Sequence, residues 1–253
     1  MGTPGGYIYM KAMVLAAGLG TRLRPVTETL PKPLLPVAGR PILEWNLLLL
    51  KRHGITEVII NLHHLGEQIV SALGDGARLG LRLAYSHEPT LQGTGGGIKQ
   101  AAPFLQDGPF LVLNGDTLSD CDLTALIAAH RASGALATLA LRDDPDAATW
   151  GPVTLDAHGR ILQIKGNPPL AEPRAALPAC MFAGIHVMEQ TVLSAMPSGP
   201  GSIIDVYGSL LRQGRPLHGY RMSGYWSDIG TLERYHQVQR DVAEGRVKLE
   251  RSD

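Results

Sequence analysis

The chain predicts an α/β fold, a mixed and mainly parallel sheet flanked by helices. Strand-like apolar runs at 11–17, 57–62, 81–86 and 110–113 alternate with helix-like segments at 41–53, 66–73, 94–102 and 122–133. This is the pattern of parallel strands joined by right-handed crossovers. Hydrophobic residues make up 44% and charged residues 18% of the 253 positions, enough for one sizeable core or at most two lobes.

Taken in order, the run Met13 to Ala17 fits a buried strand that breaks at Gly18 and Gly20. Pro41 suits the first turn of a helix from Ile42 to His53, and Gly54 suits its end. The stretch Gly93 to Gly97 opens a helix carrying Ile98, Ala101 and Ala102. Leu111 to Leu113 form a buried strand that delivers Asn114, Gly115 and Asp116 at its carboxyl end, where open α/β sheets place their ligands. After Gly134 the character changes. Ala135–Leu141, Gly151–Asp156, Ile161–Lys165 and Cys180–Val187 read as strands, interrupted by the Pro- and Ala-rich loop Gly166 to Pro178. A last helix follows Thr231, through Glu233, Tyr235, Val238 and Val242. No repeat, low-complexity stretch or long linker divides the chain, so residues 10–253 are expected to form one domain with halves at 10–134 and 135–253. Residues 1–9 read as a disordered extension or tag, with Met10 the more natural start.

Composition narrows the partners. A formal net charge of zero argues against a nucleic-acid coat or a polybasic membrane patch but allows a local cationic pocket. No run approaches a membrane span and residues 1–9 lack the regions of a signal peptide. Cys121 and Cys180 have no metal-type spacing and read as reduced, semi-buried thiols, so a cytoplasmic location is expected. His63, His64, His87 and His130 form no ligand or triad grouping, and no G-x-S-x-G elbow occurs.

The chemistry concentrates in Leu15-Ala16-Ala17-Gly18-Leu19-Gly20-Thr21-Arg22-Leu23-Arg24-Pro25 and Pro31-Lys32-Pro33-Leu34. At Gly18 and Gly20 no Cβ keeps backbone N–H groups from a polyanion. Arg22, Arg24 and Lys32 add cations, a guanidinium fork being suited to phosphate oxygens and an ammonium acting as a point charge. A glycine pair alone would be an ordinary tight turn, and neither G-x-G-x-x-G nor G-x-x-x-x-G-K-[ST] is present. Further along lie Asn114-Gly115-Asp116 and Tyr225-Trp226-Ser227-Asp228-Ile229-Gly230-Thr231. Either aspartate alone would read as a strand-end or N-cap carboxylate. Near Glu88 a carboxylate or backbone carbonyl could accept from a base N–H, and Gly95 to Gly97 would let a flat base or ribose press on the backbone.

The Leu15–Leu23 and Pro31–Leu34 pieces resemble the L-x-[AG]-G-x-G-T-R-L and P-K-P-L signature of the sugar-1-phosphate nucleotidylyltransferases. Asn114–Asp116 and Trp226–Thr231 resemble that family's N-G-D and W-x-D-[IV]-G-T motifs. The likeness runs from Lys11 to about Tyr235. It implies a Rossmann-like nucleotide-diphospho-sugar transferase fold and an enzyme that joins an NTP to a sugar 1-phosphate and releases pyrophosphate. It implies Mg²⁺ on Asp116 and Asp228, the hard cation needed when two anions must be held together. Catalysis is assigned by this resemblance to Arg22, Lys32, Asp116 and Lys165. Nucleotide binding falls to Leu15, Ala16, Ala17, Gly18, Gly20, Thr21, Arg22, Glu88, Gly95, Gly96 and Asn114 in a nucleotide-binding half, 10–134. Glu88 stands where the family commonly has Gln.

Lys165 corresponds to the lysine of the family's sugar-phosphate element, and Gln163 stands where that element often has Glu. Gly151, Gln163, Lys165 and Gly184, the last within Phe182-Ala183-Gly184-Ile185, would form the acceptor site in a sugar-binding half, 135–253. The short chain and the Thr94–Ile98 and Phe182–Ile185 segments most resemble members that use UTP and N-acetylmuramate 1-phosphate in cell-wall metabolism. Mannose- or heptose-1-phosphate guanylyl transfer is the runner-up. A non-catalytic nucleotide-sugar-binding module and a cytidylyltransferase for a phospho-alcohol are readings of another class. A monomer or small homo-oligomer is expected.

Overall fold

The computed structural model describes residues 10–145, 147–165 and 179–249. The extension 1–9 and the loop 166–178 lie outside them.

The first half supplies β1 (Lys11–Leu15), α1 (Ile42–Arg52), β2 (Glu57–Leu62), α2 (Gly66–Leu73), β3 (Arg82–His87), α3 (Gly93–Gln100), β4 (Phe110–Asn114), β5 (Thr117–Ser119) and α4 (Leu123–Ser133). The second adds β6 (Ala137–Arg142), β7 (Val153–Leu155), β8 (Ile161–Ile164), β9 (Met181–Met188), α5 (Ile203–Arg212), β10 (Leu217–Arg221), β11 (Trp226–Asp228) and α6 (Leu232–Ala243). The main sheet has seven strands in the order β10-β6-β9-β4-β1-β2-β3. All neighbours are parallel except β9, which runs antiparallel to β4 and β6. The expected mixed, mainly parallel sheet is present, and both halves of the chain share it.

Each face of the sheet is closed by an apolar layer. Val14, Ile60, Leu111 and Ile185 pack on one side with Leu47, Leu50 and Leu126. Met13, Val112, Leu139 and Tyr207 pack on the other with Ile98 and Leu210. Full burial of such aliphatic side chains stabilises by about 1.5–3 kcal/mol each. Among the described residues no helix is long and apolar enough to cross a membrane.

Two differences from the sequence reading have physical causes. The first strand ends at Leu15 rather than residue 17, because Ala16 N–H turns out of the ladder to the side chain of Asn61 at 2.7 Å. The helix expected over 94–102 ends at Gln100, and a separate turn, Ala102–Leu105, starts with Pro103 in its first turn. Helix α5 and strands β5, β10 and β11 had not been read. Cys121 and Cys180 are both wholly buried thiols, and burial pushes the Cys121 thiol up to about 12.

The topology gathers one edge. The carboxyl ends of parallel β1, β2 and β4 lie in register, with Leu15 opposite both Asn61 and Asn114. Reversed β9 brings its amino end, Met181–Gly184, to the same edge. Ligands of open α/β sheets bind there.

Candidate functional site

Three cavities open at this edge, of about 280, 280 and 190 Å³. Their walls overlap at Asp116, which lines all three. Lys32 lines the first two, Arg22 the second and third, and Asn114 the first and third. The result is one branched cleft.

Leu15, Ala16, Ala17 and Gly18 wall the first cavity, and Gly18, Gly20, Thr21 and Arg22 the second. The loop is shaped by its own residues. Gly20 sits at φ +63°, a conformation open to glycine, and its carbonyl accepts the Thr27 hydroxyl at 2.8 Å. A Cβ on Gly20 would come within 3.0 Å of the Thr27 side chain. Leu23 N–H then returns to Gly20 O at 2.9 Å, closing the turn that aims Arg22 at the cleft.

The two aspartates come together through β5 and β11. These strands are antiparallel, Asp228 lies opposite Thr117, and Ile229 N–H donates to Asp116 O at 3.0 Å. Both carboxylates line the third cavity. Asp116 pairs with Lys32, a residue only 8% exposed. Asp228 accepts from Gly230 N–H at 2.6 Å and from Arg234 Nη1 at 2.7 Å. Trp226, beside Asp228 in the wall, donates through Nε1 to Ala183 O at 2.7 Å, which ties β11 to β9.

Two carboxylates facing one cavity beside a phosphate-type loop fit a hard divalent cation that keeps several waters and completes its shell with substrate oxygens. Among the described residues no group of three or more His, Cys, Asp or Glu could hold a metal unaided.

At the other end of the cleft Leu91, Gly93 and Thr94 form the wall. The expectation for Glu88 meets a different arrangement. Its carboxylate is buried and turned inward, accepting from Asn61 Nδ2 at 2.7 Å and Gln92 N–H at 2.8 Å. Gly95 and Gly96 likewise face protein. Gly95 N–H donates to Gly201 O at 2.8 Å, and a Cβ on Gly96 would lie 2.4 Å from Gly199 O. The glycine run thus lets a second-half loop lie against α3, a neighbour that residues 88–97 do not disclose.

Of the residues expected at the acceptor site, Gly184 adopts φ +72° and lines the third cavity, where a Cβ would strike Asn114. Gly151, Gln163 and Lys165 stand together on the β7–β8 hairpin, outside the walls of the three cavities. Lys165 holds φ +31°, rare for a side-chain-bearing residue, and its stem crosses Gly151 where a Cβ would sit 2.7 Å from Lys165 Cγ. Such strain recurs at ligand sites. The sequence alone does not mark Asn61, Leu91 or Arg234, though Asn61 is the one polar residue in the run Val58–Leu62.

The nucleotidyl transferase family profile matches residues 11–245. The chain is 39% identical over 236 residues to N-acetylmuramate alpha-1-phosphate uridylyltransferase of Neisseria meningitidis, covering 91% of this chain and 97% of that protein. It is 37% identical over 254 residues to UTP–glucose-1-phosphate uridylyltransferase of Synechocystis, covering 94% of this chain and 65% of that relative's length. A solved structure from Bacillus anthracis, described as a candidate glucose-1-phosphate thymidylyltransferase in complex with sucrose, superposes with a TM-score of 0.81. It is 26% identical and covers 96% of this chain and 98% of that one.

Proposed function

Because the chain belongs to the nucleotidyl transferase family, we propose that it transfers a uridylyl group from UTP to N-acetylmuramate 1-phosphate with release of pyrophosphate. The observation that carries the reaction class is the position of Asp116 in the wall of all three cavities. One carboxylate then stands where a triphosphate and a second phosphate must meet. Two relatives named as uridylyltransferases support the base, and the one of them matched over nearly its whole length supports the sugar.

In this reading the Gly18–Arg22 loop and Lys32 bind the triphosphate, and Arg22, facing both branches, balances charge as the acceptor phosphate attacks the α-phosphorus. Lys165 aligns the acceptor and Gly184 leaves room beside Asn114. No protein nucleophile is required. Asp116 and Asp228 would hold Mg²⁺, which when bound supplies charge neutralisation between the two anions. Lys32 and Arg234 keep those carboxylates oriented.

The test is pyrophosphate release with four NTPs against N-acetylmuramate, glucose and mannose 1-phosphates. UTP with N-acetylmuramate 1-phosphate is expected to give the highest kcat/KM. A GTP product dominating with mannose 1-phosphate would overturn the substrate assignment.

A further inference from the structure

Asn61, at the carboxyl end of β2, is 2% exposed and joins two loops. Its Oδ1 accepts from Ala16 N–H at 2.7 Å, and its Nδ2 donates to Glu88 Oε1 at 2.7 Å. A backbone N–H can only donate and a carboxylate only accept, so the partners dictate which way the amide points. Glu88 passes the connection on, since its Oε2 accepts from Gln92 N–H at 2.8 Å, immediately before α3. The next residues repeat the arrangement. His63 Nδ1 lies 2.8 Å from Glu88 O, and His64 Nε2 lies 3.0 Å from the carbonyl of Thr27, whose hydroxyl holds Gly20. Gly97 leaves the space, because a Cβ there would lie 2.6 Å from Glu88 Oε1 and 2.8 Å from Asn61 Nδ2.

We propose that Asn61 and Glu88 are positioning residues that hold the phosphate loop (16–22) and the loop at the far end of the cleft (91–94) at a fixed separation, so that one nucleoside triphosphate spans both. The inference rests on the nucleotide-cleft reading above. A ligand gripped at two ends keeps the benefit of both only if their spacing is set beforehand; otherwise ordering the loops offsets part of the binding. The hydrogen bonds of the pair run to Ala16 and Gln92 and not to β7 or β8, so its effect is expected on the nucleotide.

The test exchanges donor and acceptor. Asn61→Asp sets two carboxylates against each other, and Glu88→Gln leaves an NH₂ facing an N–H. In the double variant the new carboxylate accepts from Ala16 N–H and from the new amide, whose carbonyl accepts from Gln92 N–H. All three bonds return, the one between residues 61 and 88 with its polarity reversed and the two from backbone N–H groups as before, and the net charge is unchanged. Each single variant is expected to raise KM for UTP about tenfold, near the effect of one buried hydrogen bond. KM for N-acetylmuramate 1-phosphate should stay within about twofold, and the double variant should bring KM for UTP back toward wild type. Should Asn61→Asp fail to fold, Glu88→Gln and Gly97→Ala carry the same expectation. Equal rises in both KM values, or a double variant as impaired as its parents combined, would overturn the inference alone. A wild-type protein inactive with all four NTPs overturns the nucleotidyl-transfer reading, and this inference with it.

Discussion

Arg234 donates to Asp228 at 2.7 Å from the first turn of α6, so this carboxylate in the wall of the third cavity is oriented by a helix whose other face packs on the core. The pair is partly exposed, with side chains 35% and 14% accessible, and screening limits its worth to stability. Its effect lies in direction. Arg234 engages Oδ2 and Gly230 N–H engages Oδ1, which fixes the plane of the carboxylate beside Asp116.

Asp116→Asn and Asp228→Asn should each lower kcat by about 10²–10³-fold, the range for removing one preorganised electrostatic group. Far-UV circular dichroism should not change, because neither side chain supports the core. The check is turnover at saturating Mg²⁺ and substrates. Near-normal kcat in either variant would remove that residue from the site.

Arg22 and Lys165 stand apart, the first in two cavity walls and the second on the β7–β8 hairpin. Arg22→Ala should raise KM for UTP about tenfold, and Lys165→Ala KM for the sugar phosphate by a similar factor, with some loss of kcat in both. An effect of Lys165→Ala on UTP alone would show that its pocket is assigned wrongly.

How far the sequence could be read depended on how local each cause was. The glycine loop, the strand-end Asn114–Asp116 and the Asp228 segment are set by neighbours in the chain. The inward turn of Glu88 is not legible locally, because its partner Asn61 lies 27 residues away and the β2–β3 pairing brings the two together. The packing of Gly95 and Gly96 on the Gly199–Gly201 loop is hidden in the same way, since that loop comes from the other half of the chain. Helix α5 carried a legible stripe, Ile203, Val206, Tyr207, Leu210 and Leu211, that was passed over beside stronger motifs.

Gly230 offers a sharper probe than either of its neighbours. A Cβ there would lie 2.4 Å from Asp228 Oδ1 and 3.2 Å from Arg22 Nη2. Its backbone is not in the left-handed region, so Gly230→Ala acts through crowding rather than strain. A displacement of that carboxylate should cut kcat by about 10–100-fold while Tm moves little. Unchanged kcat would mean that the Arg22 and Asp228 positions are not critical to the reaction.

His186, which lines none of the three cavities, gives the protein's stability a pH dependence. Its imidazole is buried in the core, bonded to the Tyr207 hydroxyl and edge-on to Phe182 at 5.3 Å. Burial drives its pKa from 6.5 to about 3. The unfolded chain therefore takes up a proton near pH 6.5 that the folded chain refuses until about pH 3. This group's contribution is full above pH 6.5 and is lost as pH falls, by up to about 1.4 kcal/mol per unit. Carboxylates begin to titrate below about pH 5, so the clean window is pH 6.5 to 5 and the loss across it about 2 kcal/mol. His130 and His218, also lowered by burial, act in the same direction and persist in a variant. His186→Asn keeps a polar partner for Tyr207 without the titration. Its urea midpoint should fall less steeply than wild type between pH 6.5 and 5, and identical slopes would show that His186 takes up its proton while folded.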